Sequence, residues 1–173
     1  MSEPTVPPPT DAELDAAARE LGQALAARGW QMAAAESCTG GLVGHVITQV
    51  PKASDHFLGG IVSYSDEVKK DLLGVPGDLL ERVGAVSPEV AEAMARGAIG
   101  RFDPAHVAVA VTGIAGPDGG SPGKPVGLTF IAAALRDGAT TVERQVWPFD
   151  RDGNKRASAL AALRLASRVV SEA

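Results

Sequence analysis

Apolar residues recur at helical spacing over Leu14, Ala18, Leu21 and Leu25, behind the capping pair Thr10-Asp11 and ahead of Gly29, which predicts a helix from Asp11 to about Arg28. Gln31 to Glu36 reads as a short buried strand by position, although its alanines are weak strand formers. Leu42, Val43, Val46, Ile47 and Val50 predict a buried helix from Gly41 to Val50, ended by Pro51. Phe57 to Ser65 carries Ile61-Val62 and Tyr64 and reads as a strand. A charged helical turn follows at Asp66 to Lys70, and Leu72 to Pro76 closes that unit.

Ser87-Pro88-Glu89 combines an N-cap, a proline at the first helical position and an acidic first turn, so a helix is predicted from Pro88 to about Gly100. His106 to Thr112 alternates valine with alanine as a buried strand does, then empties into a Gly/Pro-rich loop from Gly113 to Pro125. Loops of this length at a strand end are often functional, the alternative being a surface excursion. Val126 to Ala134 and Thr140 to Pro148 form a predicted hairpin about the Arg136-Asp137-Gly138 turn, and a helix over Asp152 to Ser171 ends the chain. Helices alternating with strands, then a hairpin, predict an α/β fold. The expectation is a single three-layer α/β/α domain with a mixed sheet over residues 11–173, behind a disordered Pro-rich lead-in over residues 1–10.

At 173 residues and 45% apolar composition the chain suits one domain, and no apolar run approaches the ~18 residues of a membrane span. Met1-Ser2-Glu3-Pro4 has neither the basic flank nor the apolar core of a signal peptide, so a cytoplasmic protein is expected. Sixteen Lys and Arg against 21 Asp and Glu, with 4% aromatics and no basic patch, make nucleic acid a poor partner. A small anionic ligand remains compatible, because local amides and an arginine bind phosphate on an acidic protein. Cys38 is the sole cysteine, and His45, His56 and His106 lack metal-ligand spacing; neither metal nor cofactor is expected. Apolar helices in a small domain are compatible with a homo-oligomer, although no stripe marks an interface.

Several motifs fail. Gly123-Lys124 is not a phosphate loop, because Asp118 stands where its first glycine belongs and Pro125 follows the lysine. Ser121-Pro122-Gly123-Lys124 fits the string Ser-x-x-Lys, but Pro-Gly inside it makes a turn rather than a helical face. What remains is Ser37, between a strand and a helix start, where following amides can form an anion hole and Thr39-Gly40-Gly41 permits close approach. A plain N-cap serine is the alternative. Tyr64 and Lys69 can converge on it only from a strand and a helix respectively, and a basic lysine needs its pKa lowered by burial or a nearby cation. The alternative for Lys69 is a solvated partner of Glu67 or Asp66.

Glu36-Ser37-Cys38-Thr39-Gly40-Gly41, Gly59 to Lys69, Gly84-Ala85-Val86-Ser87, Thr112 to Pro117 and Lys124-Pro125-Val126-Gly127 together resemble the CinA C-terminal domain family over about Ala12 to Leu165. Stand-alone members are nicotinamide mononucleotide deamidases, and longer members carry a further N-terminal domain, so the resemblance implies an isolated amidase domain acting without metal in pyridine nucleotide salvage. It implies Ser37 as nucleophile with Tyr64 and Lys69 as its proton relay. With that substrate, Glu36 suits the cationic ring, and Thr112, the Gly113 amide and Arg151 are the expected phosphate donors. The family's Gly-Asp-Arg stands here as Phe149-Asp150-Arg151, so Phe149 is expected to bear on the pocket. Cys38 reads either as an activated thiol or as a small buried residue. Two rivals are a non-catalytic nucleotide-binding module and an amidase for another nucleotide amide.

Overall fold

The computed structural model describes residues 6–173. The expected lead-in thus falls partly on residues 1–5, outside the described residues; residues 6–10 form no helix or strand, and the Pro9 carbonyl accepts a hydrogen bond from Arg156 Nε. Helix α1 (Asp11–Arg28) starts at the predicted cap Thr10, which forms a capping box with Glu13, and ends at Gly29 in the left-handed conformation. Strand β1 (Met32–Glu36), helix α2 (Leu42–Gln49), a 3₁₀ turn at Ala53–Asp55 and strand β2 (Phe57–Val62) follow.

Next come α3 (Asp66–Leu73), α4 (Gly77–Val83), α5 (Pro88–Arg101), β3 (Val107–Gly113), β4 (Leu128–Leu135), β5 (Thr140–Val146) and α6 (Arg151–Glu172). Two departures from the expected elements carry a physical reason. The second strand stops at Val62 rather than Ser65, because the carbonyls of Ser63 and Tyr64 turn to Lys69 Nζ instead of a neighbouring strand. Helix α4 was not expected, since it opens on Pro76-Gly77 with no side-chain cap.

The five strands lie in the order β2-β1-β3-β4-β5, with β1 parallel to both neighbours and β3, β4 and β5 successively antiparallel. Side chains alternate across the sheet. Met32, Ala34, Val107, Val109, Val111 and Ile131 face the layer of α1, α2 and α6, while Ala33, Ala35, Ala108, Ala110 and Phe130 face that of α3, α4 and α5. The connections from β1 and to β3 run over opposite faces, so the carboxyl ends of these adjacent strands form the crevice where open α/β sheets bind ligands.

One buried carboxylate shapes that crevice. Glu36, 2% exposed, ends β1 and turns back under α2, where Oε2 accepts from Thr39 Oγ1 at 2.6 Å, the Gly41 amide at 3.0 Å and the Val43 amide at 3.1 Å. Its Oε1 accepts from the Gly44 amide at 2.9 Å. The negative charge thereby satisfies first-turn donors and meets the positive end of the helix dipole. Gly40 and Gly41 take φ of 62° and 100°, a left-handed turn that brings the chain round into α2.

Two stability predictions follow from this packing. A Cβ on Gly97 of α5 would stand 1.9 Å from the Leu73 carbonyl oxygen, whereas one on exposed Gly100 meets nothing within 4 Å. Urea unfolding is expected to show Gly97→Ala losing about 3 kcal/mol or more, and Gly100→Ala gaining about 0.5 kcal/mol from helix propensity. Glu36→Gln opposes an amide NH₂ to donor amides and is expected to lower stability by about 2 kcal/mol, read from the same denaturation midpoint.

Candidate active site

A cavity of about 270 Å³ opens at the carboxyl ends of β1 and β3. Ser37, immediately after β1, is 8% exposed and its amide donates to the Val111 carbonyl, which continues the β1–β3 pairing by one residue. Lys69 enters from α3 and is 1% exposed. Its Nζ lies 3.0 Å from Ser37 Oγ, 2.7 Å from the Ser63 carbonyl oxygen and 3.3 Å from that of Tyr64. A neutral amine has two N–H donors and one lone pair; here two carbonyls take the donors and the serine hydroxyl meets the lone pair. An ammonium is satisfied by the same three oxygens, so either protonation state is accommodated. Burial lowers the Lys69 pKa below the ordinary lysine value, and the charge of Asp66 opposes this in part.

Tyr64 reaches the site differently from the lysine. It lies two residues beyond β2, its side chain is 61% exposed, and its hydroxyl accepts from Arg151 Nη2 at 3.1 Å. Arg151, the first residue of α6, also donates through Nη1 to the Gly116 carbonyl at 2.6 Å, and it has no carboxylate partner among the described residues. Tyr64 and Arg151 thus form the rim while Ser37 and Lys69 form the floor.

The remaining expected residues divide by geometry. Thr112 and Gly113 line the cavity, but the Thr112 hydroxyl donates to the Ala85 carbonyl at 2.8 Å and holds the segment between α4 and α5 in place. A Cβ on Gly113 would come 2.7 Å from Thr129 Oγ1 and 3.1 Å from Cys38 Sγ, so close packing requires the glycine there. Glu36, Thr39, Gly40 and Gly41 do not line the cavity; they build the turn into α2. The Gly41, Val43 and Gly44 amides are committed to Glu36. The amides of Cys38 and Thr39, by contrast, donate to no backbone carbonyl among the described residues.

Phe149 stands outside the cavity. It lines a separate groove of about 600 Å³ with Pro7, Trp147 and Leu160, and packs over Gly153, where a Cβ would meet its own Cβ at 2.5 Å. The Phe149-for-glycine difference therefore bears on that groove and not directly on Ser37. Cys38 is buried, and desolvation pushes its thiol up to about 12, so it is a protonated packing residue rather than an activated thiol.

The cavity wall also includes residues that sequence reasoning did not single out. Ala85 and Val86 face Ile114 to Gly116, with Asp66, Asp118 and Gly119 at the edge. The motif Gly84-Ala85-Val86-Ser87 was the available signal for the first two. The loop after β3 is not a loose excursion, because Asn154 Nδ2 donates to the Ala115 carbonyl, Arg151 holds Gly116, and Lys124 Nζ donates to the Val83 carbonyl. Among the described residues no group of His, Cys, Asp and Glu is placed to hold a metal ion, and no helix is long and apolar enough to cross a membrane.

Known proteins are similar to this chain in sequence and in fold. The family model of the CinA C-terminal domain matches residues 14–170. A putative competence-damage inducible protein of Moorella thermoacetica is 48% identical over 147 residues, 83% of this chain but 34% of that protein, so the chain spans about a third of the length of such relatives. The nicotinamide-nucleotide amidohydrolase PncC of Enterobacter agglomerans is 44% identical over 149 residues, covering 86% of this chain and 90% of that protein. A crystal structure of a competence-damaged protein (CinA) superfamily protein from Klebsiella pneumoniae superposes with a TM-score of 0.88 at 28% identity, over 92% of this chain and 99% of that one. With five motifs in order, one sheet topology and a match over nearly its full length, this chain belongs to the CinA C-terminal domain family.

Proposed function

We propose that the protein is a nicotinamide mononucleotide deamidase, converting the carboxamide of that nucleotide to a carboxylate with release of ammonia. The observation that carries the reading is the buried contact of 3.0 Å between Lys69 Nζ and Ser37 Oγ on the cavity floor. Support for the substrate comes from the similarity to the Enterobacter amidohydrolase, which extends over 90% of that protein.

Neutral Lys69 takes the Ser37 hydroxyl proton as Oγ attacks the carboxamide carbon. The direct contact makes a relay through the Tyr64 hydroxyl unnecessary, since that hydroxyl faces Arg151. The amide of Cys38, which lines the cavity and meets no backbone carbonyl, is the donor left for the oxyanion, the Gly41, Val43 and Gly44 amides being bonded to Glu36 already. Collapse of the tetrahedral intermediate breaks the C–N bond, and the Lys69 ammonium protonates the departing nitrogen. Water then attacks the acyl-serine, Lys69 accepts its proton, and the carboxylate product leaves with Oγ reprotonated.

Arg151 is the phosphate ligand in this reading. It is the one rim residue with a guanidinium not paired to a carboxylate, while the single donor of Thr112 is committed to Ala85. Two of its five N–H groups are bonded, which leaves three to face a phosphate at the mouth. Thr112 and Gly113 act instead as walls. The protein is proposed to act in the cytoplasm on this soluble nucleotide.

Ammonia release from nicotinamide mononucleotide is expected from the wild type, to fall by about 10³-fold or more in Ser37→Ala, and to stay within about threefold in Cys38→Ala. Binding without turnover in the wild type would sink the proposal in favour of a nucleotide-binding module. The pH profile supplies an independent check. Lys69 must be neutral to accept the proton and burial lowers its pKa, so kcat/KM is present above that lowered pKa and is lost as pH falls through it. Its midpoint is expected below the ordinary lysine value of about 10.4, and Lys69→Met is expected to lose the limb along with at least about 10²-fold of activity.

A further inference from the structure

Lys124 has no part in the chemistry above, and its motif Lys124-Pro125-Val126-Gly127 lies away from Ser37 in sequence. Its position is nevertheless defined on every side. Ser121 and Lys124 exchange both backbone hydrogen bonds at 2.9 Å, closing a tight turn over Pro122 and Gly123, the latter at φ of 80°. The amide of Gly127 donates to the Ile114 carbonyl and that of Ile114 to the Leu128 carbonyl, so the loop is cinched at its base. From this turn the Lys124 side chain crosses to the other wall of the cavity. Its Nζ donates to the carbonyl of Val83, the last residue of α4, at 2.5 Å. That carbonyl is one of the unpaired acceptors at the negative end of the helix, where a cation is favoured.

Gly84 completes the fit. A Cβ there would stand 2.9 Å from Lys124 Nζ, so the glycine leaves the space the ammonium occupies. One residue further on, Ala85 is held to β3 by Thr112, and Ala85 and Val86 form one wall of the cavity, facing the Ile114 to Gly119 wall. The latter wall is tied to α6 through Asn154 and Arg151. Without Lys124 the loop would keep its ties to α6 and lose its side-chain tie to the α4 end.

We infer that Lys124 is a positioning residue, a latch between the loop after β3 and the end of α4 that sets the width of the substrate cavity. The inference rests on the deamidase reading for its kinetic consequence and on the contact geometry for its structural one. Because the latch acts on the walls and not on Ser37 or Lys69, it governs binding rather than the chemical step.

The test measures two quantities on the full chain of wild type, Lys124→Met and Lys124→Arg. In ammonia release from nicotinamide mononucleotide, Lys124→Met is expected to raise KM about tenfold with kcat within about threefold, and Lys124→Arg, which restores a cationic donor, to return KM to within about threefold of wild type. In amide hydrogen exchange, residues 114–121 are expected to exchange about tenfold faster in Lys124→Met than in wild type while α1 and α6 keep their rates. Unchanged exchange in that loop overturns the latch, and so does faster exchange with an unaltered KM. General acceleration across all elements overturns it as well, since the lysine would then serve overall stability. If the wild type leaves the nucleotide unhydrolysed, the deamidase reading fails by itself, and the exchange measurement alone decides the latch.

Discussion

The Glu36 residue joins more of the active region than any other. Its carboxylate caps α2 through three backbone amides and the Thr39 hydroxyl, and its carbonyl oxygen accepts from both the amide and the hydroxyl of Ser63. Ser63 in turn offers its own carbonyl to Lys69. One residue at the end of β1 therefore fixes the turn that follows Ser37 and the carbonyl that helps to seat the lysine. A buried carboxylate is tolerable only when its oxygens are satisfied. Here four donors satisfy it, and the same requirement holds the Ser37–Gly41 turn in one shape.

The geometry of the sheet explains why the lysine and serine meet. β1 feeds Ser37 directly into the crevice, and β2, parallel to it, ends level with it before the chain turns into α3. One helical turn later Lys69 points back toward the strand end, where its Nζ meets Ser37 Oγ and the carbonyls of Ser63 and Tyr64. The crevice excludes most solvent from the amine, and this favours its neutral form. The loop after β3 closes the other side by reaching both helical layers, to α6 through Ala115 and Gly116 and to α4 through Lys124.

Residues at the site were legible to different degrees, for physical reasons. The local pattern alone left Ser37 open as a plain N-cap serine and Lys69 as a solvated partner of Glu67 or Asp66, and it was the five motifs together that pointed to both. Glu36 reads as a ligand for a cationic ring, yet its carboxylate is enclosed under α2; nothing local in the sequence says that the chain curls back over it. Thr112 offered a hydroxyl at a strand end, but its proton goes to Ala85, a residue 27 positions earlier. Arg151 and Tyr64 lie 87 residues apart and meet only because α6 starts beside the crevice. Phe149 stands where the family motif carries glycine, yet it lines the groove with Pro7, Trp147 and Leu160 rather than the cavity.

By itself the sequence determined the alternation of helices and strands, the caps of α1 and α5, the antiparallel hairpin and the stretches that must contain the site, because periodicity, capping and turn chemistry act over a few residues. The tertiary structure decided the strand order, the existence of α4, which carboxylate is committed internally and which cations remain available. Those outcomes depend on burial and on partners distant in sequence. Whether a lysine is a solvated ion or a candidate base is not a property of the lysine and its neighbours in the chain; it is set by how much water the folded layers remove and by the oxygens they place around its nitrogen.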